Sequence, residues 1–306
     1  MKYNHLPPRQ GLYEPSFERD SCGVGFVCDI KGRKSNEIIK QGLAALKRLS
    51  HRGATGADPK TGDGAGILIQ TPHEFFAKVC QKNNIGIPSF DEYGTGLVFL
   101  PTDSKERKFC KDVFSKIIKE QGQTLLGWRS VPVNDSDIGK TAQETKPIIE
   151  QPFILKDKNI KEQLEFERKL YVIRKQIENI IRKSSIKQKT FFYITNLSSR
   201  TFSYKGLLMP DQVENFFCDL EDQDLKSAIC LVHSRYSTNT FPTWDLAQPF
   251  RFLAHNGEIN TLRGNINWMQ AREGLLKTNL FAKQLKNIFP IVVSGGSDSA
   301  IIDNVF

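Results

Sequence analysis

The sequence predicts an α+β fold built from layers of helices and sheets. Segments of strand length and segments with helical spacing follow one another without the strict β-α-β alternation of a doubly wound sheet. A short apolar run at 22–30 predicts a strand. The clearest helix covers about residues 160–182, where apolar side chains recur every three or four positions: Phe166, Leu170, Ile173, Ile177 and Ile180.

Ser35 is placed to cap a helix after the first strand, with apolar residues at helical spacing up to Leu49. The glycine-rich stretch that follows predicts tight turns before a strand at 67–69. Within it, Gly62–Gly66 does not fit a dinucleotide-binding loop, because it precedes a strand and its third glycine is misplaced. The next segments are predicted as strands at 97–100 and 125–133, a helix at 104–121, a polar loop at 134–150 and a hairpin of 191–194 with 201–204.

The last third of the chain predicts three short strands, each followed by polar residues: 227–232 before His233-Ser234-Arg235, 252–254 before Asn256, and 291–293 before the Ser294–Ser299 loop. The final apolar residues keep helical spacing up to residue 306 without a capping residue. This pattern predicts a piece of a longer protein.

The composition is that of an ordinary soluble globular protein, since 39% of the 306 residues are hydrophobic and 25% are charged. No apolar run approaches the length of a membrane span. The formal charge of +9 is scattered, which suits an anionic metabolite or an acidic partner and gives little support to nucleic-acid binding. The six cysteines form neither a CxxC pair nor a metal-ligand spacing with histidine, so we expect free thiols in a reducing compartment.

Cys22 is the candidate nucleophile. It stands at the head of the first strand, and the mostly polar residues 1–21 before it lack the apolar core of a signal peptide. If the chain is cut before Cys22, the freed α-amino group, with a pKa of about 7.7–8.0, can take the thiol proton. The alternative is a buried strand cysteine behind an extended arm. The other five cysteines are expected to be buried or half-buried.

The turn at Asn256-Gly257 is the candidate oxyanion site. An asparagine side-chain N–H and a glycine backbone N–H in one turn can point at the same developing negative charge. Asn-Gly is also the usual sequence of a type I′ hairpin turn, so the dipeptide alone leaves both interpretations open.

Arg235 and Asp298 are candidate substrate ligands. Arg235 follows a buried strand and could bind a carboxylate through two parallel hydrogen bonds, or it could form a surface ion pair. Asp298 could pair with the ammonium group of an amino acid, or it could cap a helix. The Ser-Gly-Gly-x-Asp-Ser pattern around Asp298 also matches the phosphate loop of ATP pyrophosphatases.

Together these segments resemble the N-terminal glutaminase domain of the glutamate synthases, which are class II, N-terminal nucleophile (Ntn) glutamine amidotransferases. Each motif is common by itself, but the ordered set is specific and covers nearly the whole chain. The motifs are Asp20–Phe26, His51–Ala54, Gly62–Gly66, Gly127–Pro132, Ser198–Thr201, Tyr204–Gly206, His233–Thr240, His255–Thr261 and Ser294–Ala300.

The resemblance implies a four-layered αββα sandwich of the Ntn hydrolase type. It implies a propeptide over 1–21 and an amidotransferase domain over 22–306 that is cut short at its C-terminal end. Cys22 would attack the glutamine amide, release ammonia and leave a thioester that water hydrolyses to glutamate. The other implied roles are the oxyanion hole for Asn256 and Gly257, and substrate binding for Arg235 (the α-carboxylate), Asp298 (the α-ammonium) and Thr238.

The resemblance implies no cofactor for this domain itself. In the full-length enzymes, ammonia passes to domains with FMN and a 3Fe-4S cluster, with FAD as a further candidate, and there aminates 2-oxoglutarate reductively to a second glutamate. The donor would be reduced ferredoxin or an NADPH-oxidising small subunit. A composition rich in Lys, Ile and Asn without a transit peptide favours ferredoxin and the plastid stroma, with the bacterial cytoplasm as the alternative. Neither nucleic acid nor a membrane is an expected partner.

Two other interpretations remain open at this point. Asparagine synthetases also combine a nucleophilic cysteine with a Ser-Gly-Gly-x-Asp-Ser loop. Their cysteine follows the initiator methionine directly, however, and their ATP loop lies much further beyond the Asn-Gly turn. A non-catalytic ammonia-gating or docking module would keep the fold and retain the leader in the mature protein.

Overall fold

The structure, a computed structural model, describes residues 8–11, 14, 23–237, 240–255 and 259–306. It confirms a mixed architecture of helices and two antiparallel sheets. Among these residues, no helix is both long enough and apolar enough to cross a membrane.

The described residues form nine strands and eight α-helices, with short 3₁₀ turns between them. The strands are β1 (Val24–Cys28), β2 (Ala65–Gln70), β3 (Tyr93–Thr95), β4 (Val98–Leu100), β5 (Thr124–Ser130), β6 (Ile148–Leu155), β7 (Tyr193–Ile194), β8 (Thr201–Gly206) and β9 (Ile229–Ser234). The helices are α1 (Asn36–Arg48), α2 (His73–Lys82), α3 (Ser104–Glu120), α4 (Lys140–Glu144), α5 (Gln163–Lys183), α6 (Gln212–Phe216), α7 (Leu262–Glu273) and α8 (Asp298–Asp303).

The first sheet has the strand order β1-β9-β2-β8, and all of its pairs are antiparallel. Val24 pairs with His233 on β9, and His233 pairs on its other side with Gly66 of β2. The start of β1 therefore lies beside the end of β9, where the chain continues to Arg235.

Helix α1 covers one face of this sheet. Gly42 lies so close to β9 that an added Cβ would come 2.3 Å from the Cys230 sulfur, so only glycine fits there. The opposite face, in the region of β1 and β9, carries exposed apolar side chains. Phe26 is 67% exposed and Ile229 38%. Because residues two apart and cross-strand partners share a face, Phe26 and Ile229 belong to one surface.

The second sheet is built around β6. Strands β3 and β4 follow one another along one edge of β6, β5 pairs with the other edge, and β7 pairs with β4. Helices α3 and α5 pack on one face of this sheet in a continuous apolar core, whose members include Val98, Ile154, Phe114, Ile117, Leu170 and Ile173.

The predicted helices at 35–49, 104–121 and 160–182 are confirmed as α1, α3 and α5, and Ser35 caps α1 by accepting a hydrogen bond from the amide of Ile38. The predicted hairpin is wrong. β7 pairs with β4 and β8 pairs with β2, because the connection between them crosses from one sheet to the other.

The predicted loop at 134–150 is also wrong, since it contains α4 and the first residues of β6. Residues 252–254 form no strand, because the amide of Phe250 donates to the carbonyl of Leu253 and closes a turn. Residues 291–293 form no strand either. The backbone of Ile291 bonds instead to the side chains of Glu273 and Lys175.

Candidate active site

A backbone hydrogen bond joins the start of β1 to the end of β9. The amide of Ser234 donates to the carbonyl oxygen of Gly23 at 2.7 Å. In the sequence Gly23 directly follows Cys22, and Ser234 directly precedes Arg235. Cys22 itself lies outside the described residues, so its predicted role stays a prediction.

Arg235 is a buried cation. Only 4% of the residue is exposed, so the surface-ion-pair interpretation is wrong. Its Nη2 donates to the hydroxyl of Thr240 at 2.8 Å and its Nη1 donates to the carbonyl of Asp63 at 3.3 Å. Burial lowers the pKa of the guanidinium, opposed by the nearby carboxylates of Asp63 and Asp245. Both described hydrogen bonds go to uncharged oxygens, so the guanidinium is suited to bind the anionic group of a ligand as well.

Asp63 fixes the segment that follows Arg235. Its Oδ2 accepts a 2.6 Å hydrogen bond from the amide of Ser237, while the carbonyl of Gly64 accepts from the amide of Arg235 at 2.8 Å. Gly64 has a φ of +131°, which favours glycine. The glycine spacing of Gly62–Gly66 predicts tight turns and gives no role to Asp63. The one available signal was a carboxylate enclosed by glycines.

Gln248 holds the residue that precedes Asn256. Its Oε1 accepts from the amide of His255 at 2.9 Å, and its Nε2 donates to the carbonyl of His255 at 3.0 Å. Gln248 is only 3% exposed, so this amide pair is shielded from water. Asn256 and Gly257 lie outside the described residues, as does Thr238.

Asp298 and its neighbour Ser299 bind the described residues on either side of 256–258. Asp298 Oδ2 accepts a 2.9 Å hydrogen bond from the amide of Ile259, and the hydroxyl of Ser299 donates to the carbonyl of His255 at 3.2 Å. The N-cap of α8 is Ser297, so the interpretation of Asp298 as a helix cap is wrong. The residues on both sides of 256–258 are therefore anchored by α8.

The phosphate-loop interpretation of Ser294–Ser299 is wrong. It requires a strand, a loop and a helix in succession. Residues 291–293 form no strand, and α8 has six residues, Asp298–Asp303. The stretch instead places Asp298 against the backbone of Ile259.

Two buried bases add to the electrostatics near Arg235. Lys205 donates to the carbonyls of Asp245 and Ala247 at 2.9 and 2.6 Å, and burial, aided by nearby positive charge, lowers its pKa to about 7. Burial, then Arg235 and other nearby positive charge, lowers the pKa of His233 to about 3. Neither ring nitrogen of His233 has a hydrogen-bond partner within the described part of the chain. The imidazole is therefore neutral at physiological pH.

The described cysteines divide into two groups. Cys80, Cys110 and Cys230 are buried, and burial raises the pKa of each thiol to about 12, so they are poor nucleophiles. Cys28 and Cys218 are exposed, which corrects the expectation that they are buried or half-buried. In the described ranges, no three His, Cys, Asp or Glu residues gather as metal ligands, and an iron–sulfur cluster does not fit there.

The sequence from residue 22 to residue 306 matches the family of class-II glutamine amidotransferases. The chain belongs to this family. The resemblance drawn from the ordered motifs is thereby confirmed.

The chain is similar over almost its whole length to glutamate synthases. It is 51% identical over 306 residues to a glutamate synthase (NADPH) large chain of Bacillus subtilis, covering 100% of the chain and 20% of that relative. It is 45% identical over 305 residues to a glutamate synthase (NADH) of Schizosaccharomyces pombe, covering 98% and 14%. It is 40% identical over 307 residues to ferredoxin-dependent glutamate synthase 2, chloroplastic, of Arabidopsis thaliana, covering 99% and 18%. The chain thus spans a fifth or less of the length of these relatives, which differ in their named electron donors.

Proposed function

We propose that this chain is the glutaminase part of a glutamate synthase and hydrolyses L-glutamine to L-glutamate and ammonia. The observation that carries the proposal is the hydrogen bond between Ser234 and Gly23. It brings the strand end that leads to the buried cation Arg235 beside the strand that Cys22 precedes, in a chain of the class-II amidotransferase family.

The proposed architecture is the four-layered αββα sandwich. Two antiparallel sheets support it, with α1 on one face of the first sheet and α3 and α5 on one face of the second. The proposal includes removal of residues 1–21 as a propeptide, leaving the domain at 22–306. The start of the family match at residue 22 supports that boundary.

In the proposed complex, Arg235 binds the α-carboxylate of glutamine and Asp298 binds its α-ammonium, with Thr238 as a further ligand. A buried guanidinium is well suited to the first role because its charge is little screened by water. Asp298 uses one carboxylate oxygen for the amide of Ile259. A carboxylate accepts several hydrogen bonds, so it can also bind an ammonium group.

The proposed reaction has two stages. The free α-amine of Cys22 takes the thiol proton, and the sulfur attacks the amide carbon while Asn256 and Gly257 stabilise the oxyanion. The C–N bond then breaks, and the proton returns to the leaving nitrogen to give ammonia and a thioester. Water, deprotonated by the same amine, attacks the thioester, and the C–S bond breaks to give glutamate and free Cys22.

The proposal for the whole protein follows the family resemblance, and the names of the relatives give the candidate electron donors. Ammonia would aminate 2-oxoglutarate reductively in other domains that hold FMN and a 3Fe-4S cluster, with FAD as a further candidate. The composition favours reduced ferredoxin and a plastid, whereas the 51% identity to an NADPH enzyme against 40% to a ferredoxin enzyme favours NADPH and a bacterial cell. An assay of the full-length protein with glutamine and 2-oxoglutarate, in which either reduced ferredoxin or NADPH is the single electron donor, decides between them. The donor that supports glutamate formation is the physiological one.

The first test is the intact mass and N-terminal sequence of the mature protein. We expect the mature chain to begin at Cys22, since the amine needed as base exists only after cleavage. Protein that hydrolyses glutamine with residues 1–21 still attached would refute the proposed base.

The second test replaces the nucleophile and a matched thiol. Cys22→Ala should abolish glutamine hydrolysis while the fold is retained. Cys28→Ala removes an exposed cysteine from strand β1 and should leave hydrolysis unchanged. Substantial turnover by Cys22→Ala would show that another group attacks the amide.

A further inference from the structure

Arg251 and Asp303 form a buried ion pair that ties α8 to the rest of the domain. Arg251 Nη1 lies 2.5 Å from Asp303 Oδ2, and both side chains are shielded from water. The other carboxylate oxygen, Oδ1, accepts from the amide of Arg251 at 3.0 Å and from the amide of Phe252 at 3.3 Å. The carboxylate of Asp303 is thus bound by one side chain and two backbone groups of a single segment.

Arg251 is in turn anchored to the second sheet and its helix. Its Nη2 donates to Glu178 Oε1 at 3.2 Å and to the carbonyl of Ile194 at 2.9 Å. Glu178 belongs to α5 and also accepts from Arg174 at 3.1 Å. The arginine therefore connects the longest described helix and strand β7 to the carboxylate of Asp303.

Helix α8 depends on this connection for its orientation. With six residues it is far shorter than helices that are stable alone in water. Its buried residues are Ser299, Ile301 and Asp303, and of these Asp303 forms an ion pair with another described element. Asp298 stands five positions earlier on the same short helix.

The other end of α8 meets the proposed glutamine site. Asp298 accepts from the amide of Ile259, and Ser299 donates to the carbonyl of His255. His255 is also held by both amide atoms of Gln248, which does not belong to α8. A shift of α8 would therefore move the carboxylate of Asp298 more than it moves the backbone of His255.

We propose that the Arg251–Asp303 ion pair is a positioning element for recognition of the substrate α-ammonium group, acting by setting the orientation of α8 and hence of Asp298. The inference rests on the proposed function, because it takes glutamine as the substrate. It adds two residues that contact neither the substrate nor the reacting atoms.

The test compares two substrates in the natural full-length product of the gene. L-Glutamine carries the α-ammonium group, and glutaramate is the same molecule without it. In Asp303→Asn we expect kcat/KM for L-glutamine to fall about tenfold, chiefly through KM, as for a ligand group misplaced by a fraction of an ångström. For glutaramate we expect less than about a twofold change, since no ammonium is present to be misplaced.

Asp219→Asn is the matched control. Asp219 forms an equally buried ion pair with Arg129, in a part of the fold that makes no described contact with α8. It should lower the melting temperature as Asp303→Asn does, but leave the ratio of the two kcat/KM values unchanged. An unchanged ratio in Asp303→Asn as well would reduce the Arg251–Asp303 pair to a purely structural role and overturn the inference.

Two further variants keep the result decisive. Arg251→Lys retains the charge and the backbone bonds to Asp303, so it should fold and show the same substrate-dependent loss to a smaller extent. In an Asp298→Asn background, Asp303→Asn should change the ratio no further, because the group that it positions is gone. An additive loss of the ratio in that background contradicts the inference.

Cys22→Ala, measured in parallel, reports on the proposed function separately. Persistent hydrolysis of glutamine in that variant refutes the proposed function whatever the ratios of kcat/KM are.

Discussion

The backbone amide of Ser234 lies 2.7 Å from the carbonyl oxygen of Gly23. This bond closes the antiparallel ladder of β1 and β9 at the end where Arg235 leaves the sheet. In a chain cut before Cys22, Cys22 would be the new N-terminal residue, and the next residue, Gly23, carries the hydrogen-bonded carbonyl. The ladder thus restrains the region in which the proposed nucleophile and the proposed carboxylate ligand would meet.

Arg235→Ala should raise KM for L-glutamine strongly and change kcat less, because the guanidinium is proposed to bind the α-carboxylate in ground and transition states alike. Steady-state kinetics with L-glutamine and with 4-aminobutanamide, which lacks that carboxylate, measure the effect. The variant should lose its preference for glutamine over the amide. A retained preference would mean that Arg235 serves the fold alone. Arg33→Ala removes an exposed arginine paired with Asp29 and is the control.

Asn256→Ala should lower kcat for glutamine hydrolysis by an amount that corresponds to about 2.7–4 kcal/mol of lost transition-state stabilisation. KM should change little, since the donor acts on charge that develops during the reaction. Single-turnover measurement of thioester formation isolates this step. Unchanged thioester formation would remove Asn256 from the oxyanion site.

Gly66→Ala should destabilise the protein by about 1–3 kcal/mol, as overpacking does. The added Cβ would lie 2.6 Å from Lys205 Cβ and 2.8 Å from the carbonyl oxygen of Gln248. Gly86→Ala meets no atom within 4 Å and should be neutral or slightly stabilising. Denaturant midpoints of the two variants provide the comparison, and equal midpoints would contradict this packing.

Asp219→Ala should cost about 3–5 kcal/mol of folding stability, because it leaves Arg129 buried without its counter-charge. The carboxylate also accepts from the hydroxyl of Tyr204 at 3.0 Å, which loses its partner too. Asp112→Ala breaks an exposed pair with Lys108 and should change the unfolding midpoint little. Thermal unfolding of both variants tests the difference, and a similar small loss in each would count against a buried ion pair at Arg129.

His233 should make the protein less stable in acid. Its pKa is about 3 in the folded state and about 6.5 when unfolded, so the unfolded chain binds more protons between these values. Stability is then lost as pH falls from about 6.5 towards 3, at up to about 1.4 kcal/mol per pH unit. His233→Leu should flatten this slope relative to the wild type, whereas His51→Gln, at an exposed site, should not. Parallel pH profiles of wild type and His233→Leu would refute the assignment.

Helical periodicity predicted α1, α3 and α5 because each has a long apolar stripe against the core. The search for apolar runs missed β6, because Glu150, Gln151 and Pro152 interrupt an otherwise apolar strand at the centre of the second sheet. The short polar connection between β7 and β8 predicted a hairpin, because spacing in the sequence does not reveal that two consecutive strands belong to different sheets.

The candidate site shows the same limit. Arg235 and Asp298 were found from sequence because each lies in a compact motif that resembles a known family. Asp63 and Asp303 act through contacts with residues remote in the sequence, and no local pattern indicates such partners. Gln248 contacts His255 only seven positions later, but neither helical nor strand spacing predicts that pair. Only the folded chain identifies them.

Helix α7 has no buried residue, and it begins immediately after the segment that carries Asn256. Trp268 on this helix is 77% exposed, whereas Trp244 is 5% exposed, and the third indole, Trp128, is half-buried. The three tryptophans thus differ in how easily iodide can quench their fluorescence. Iodide should act most strongly on Trp268, so a spectroscopist could follow α7 through the quenchable part of the emission, and a blue shift of that part would reveal polypeptide that covers the helix.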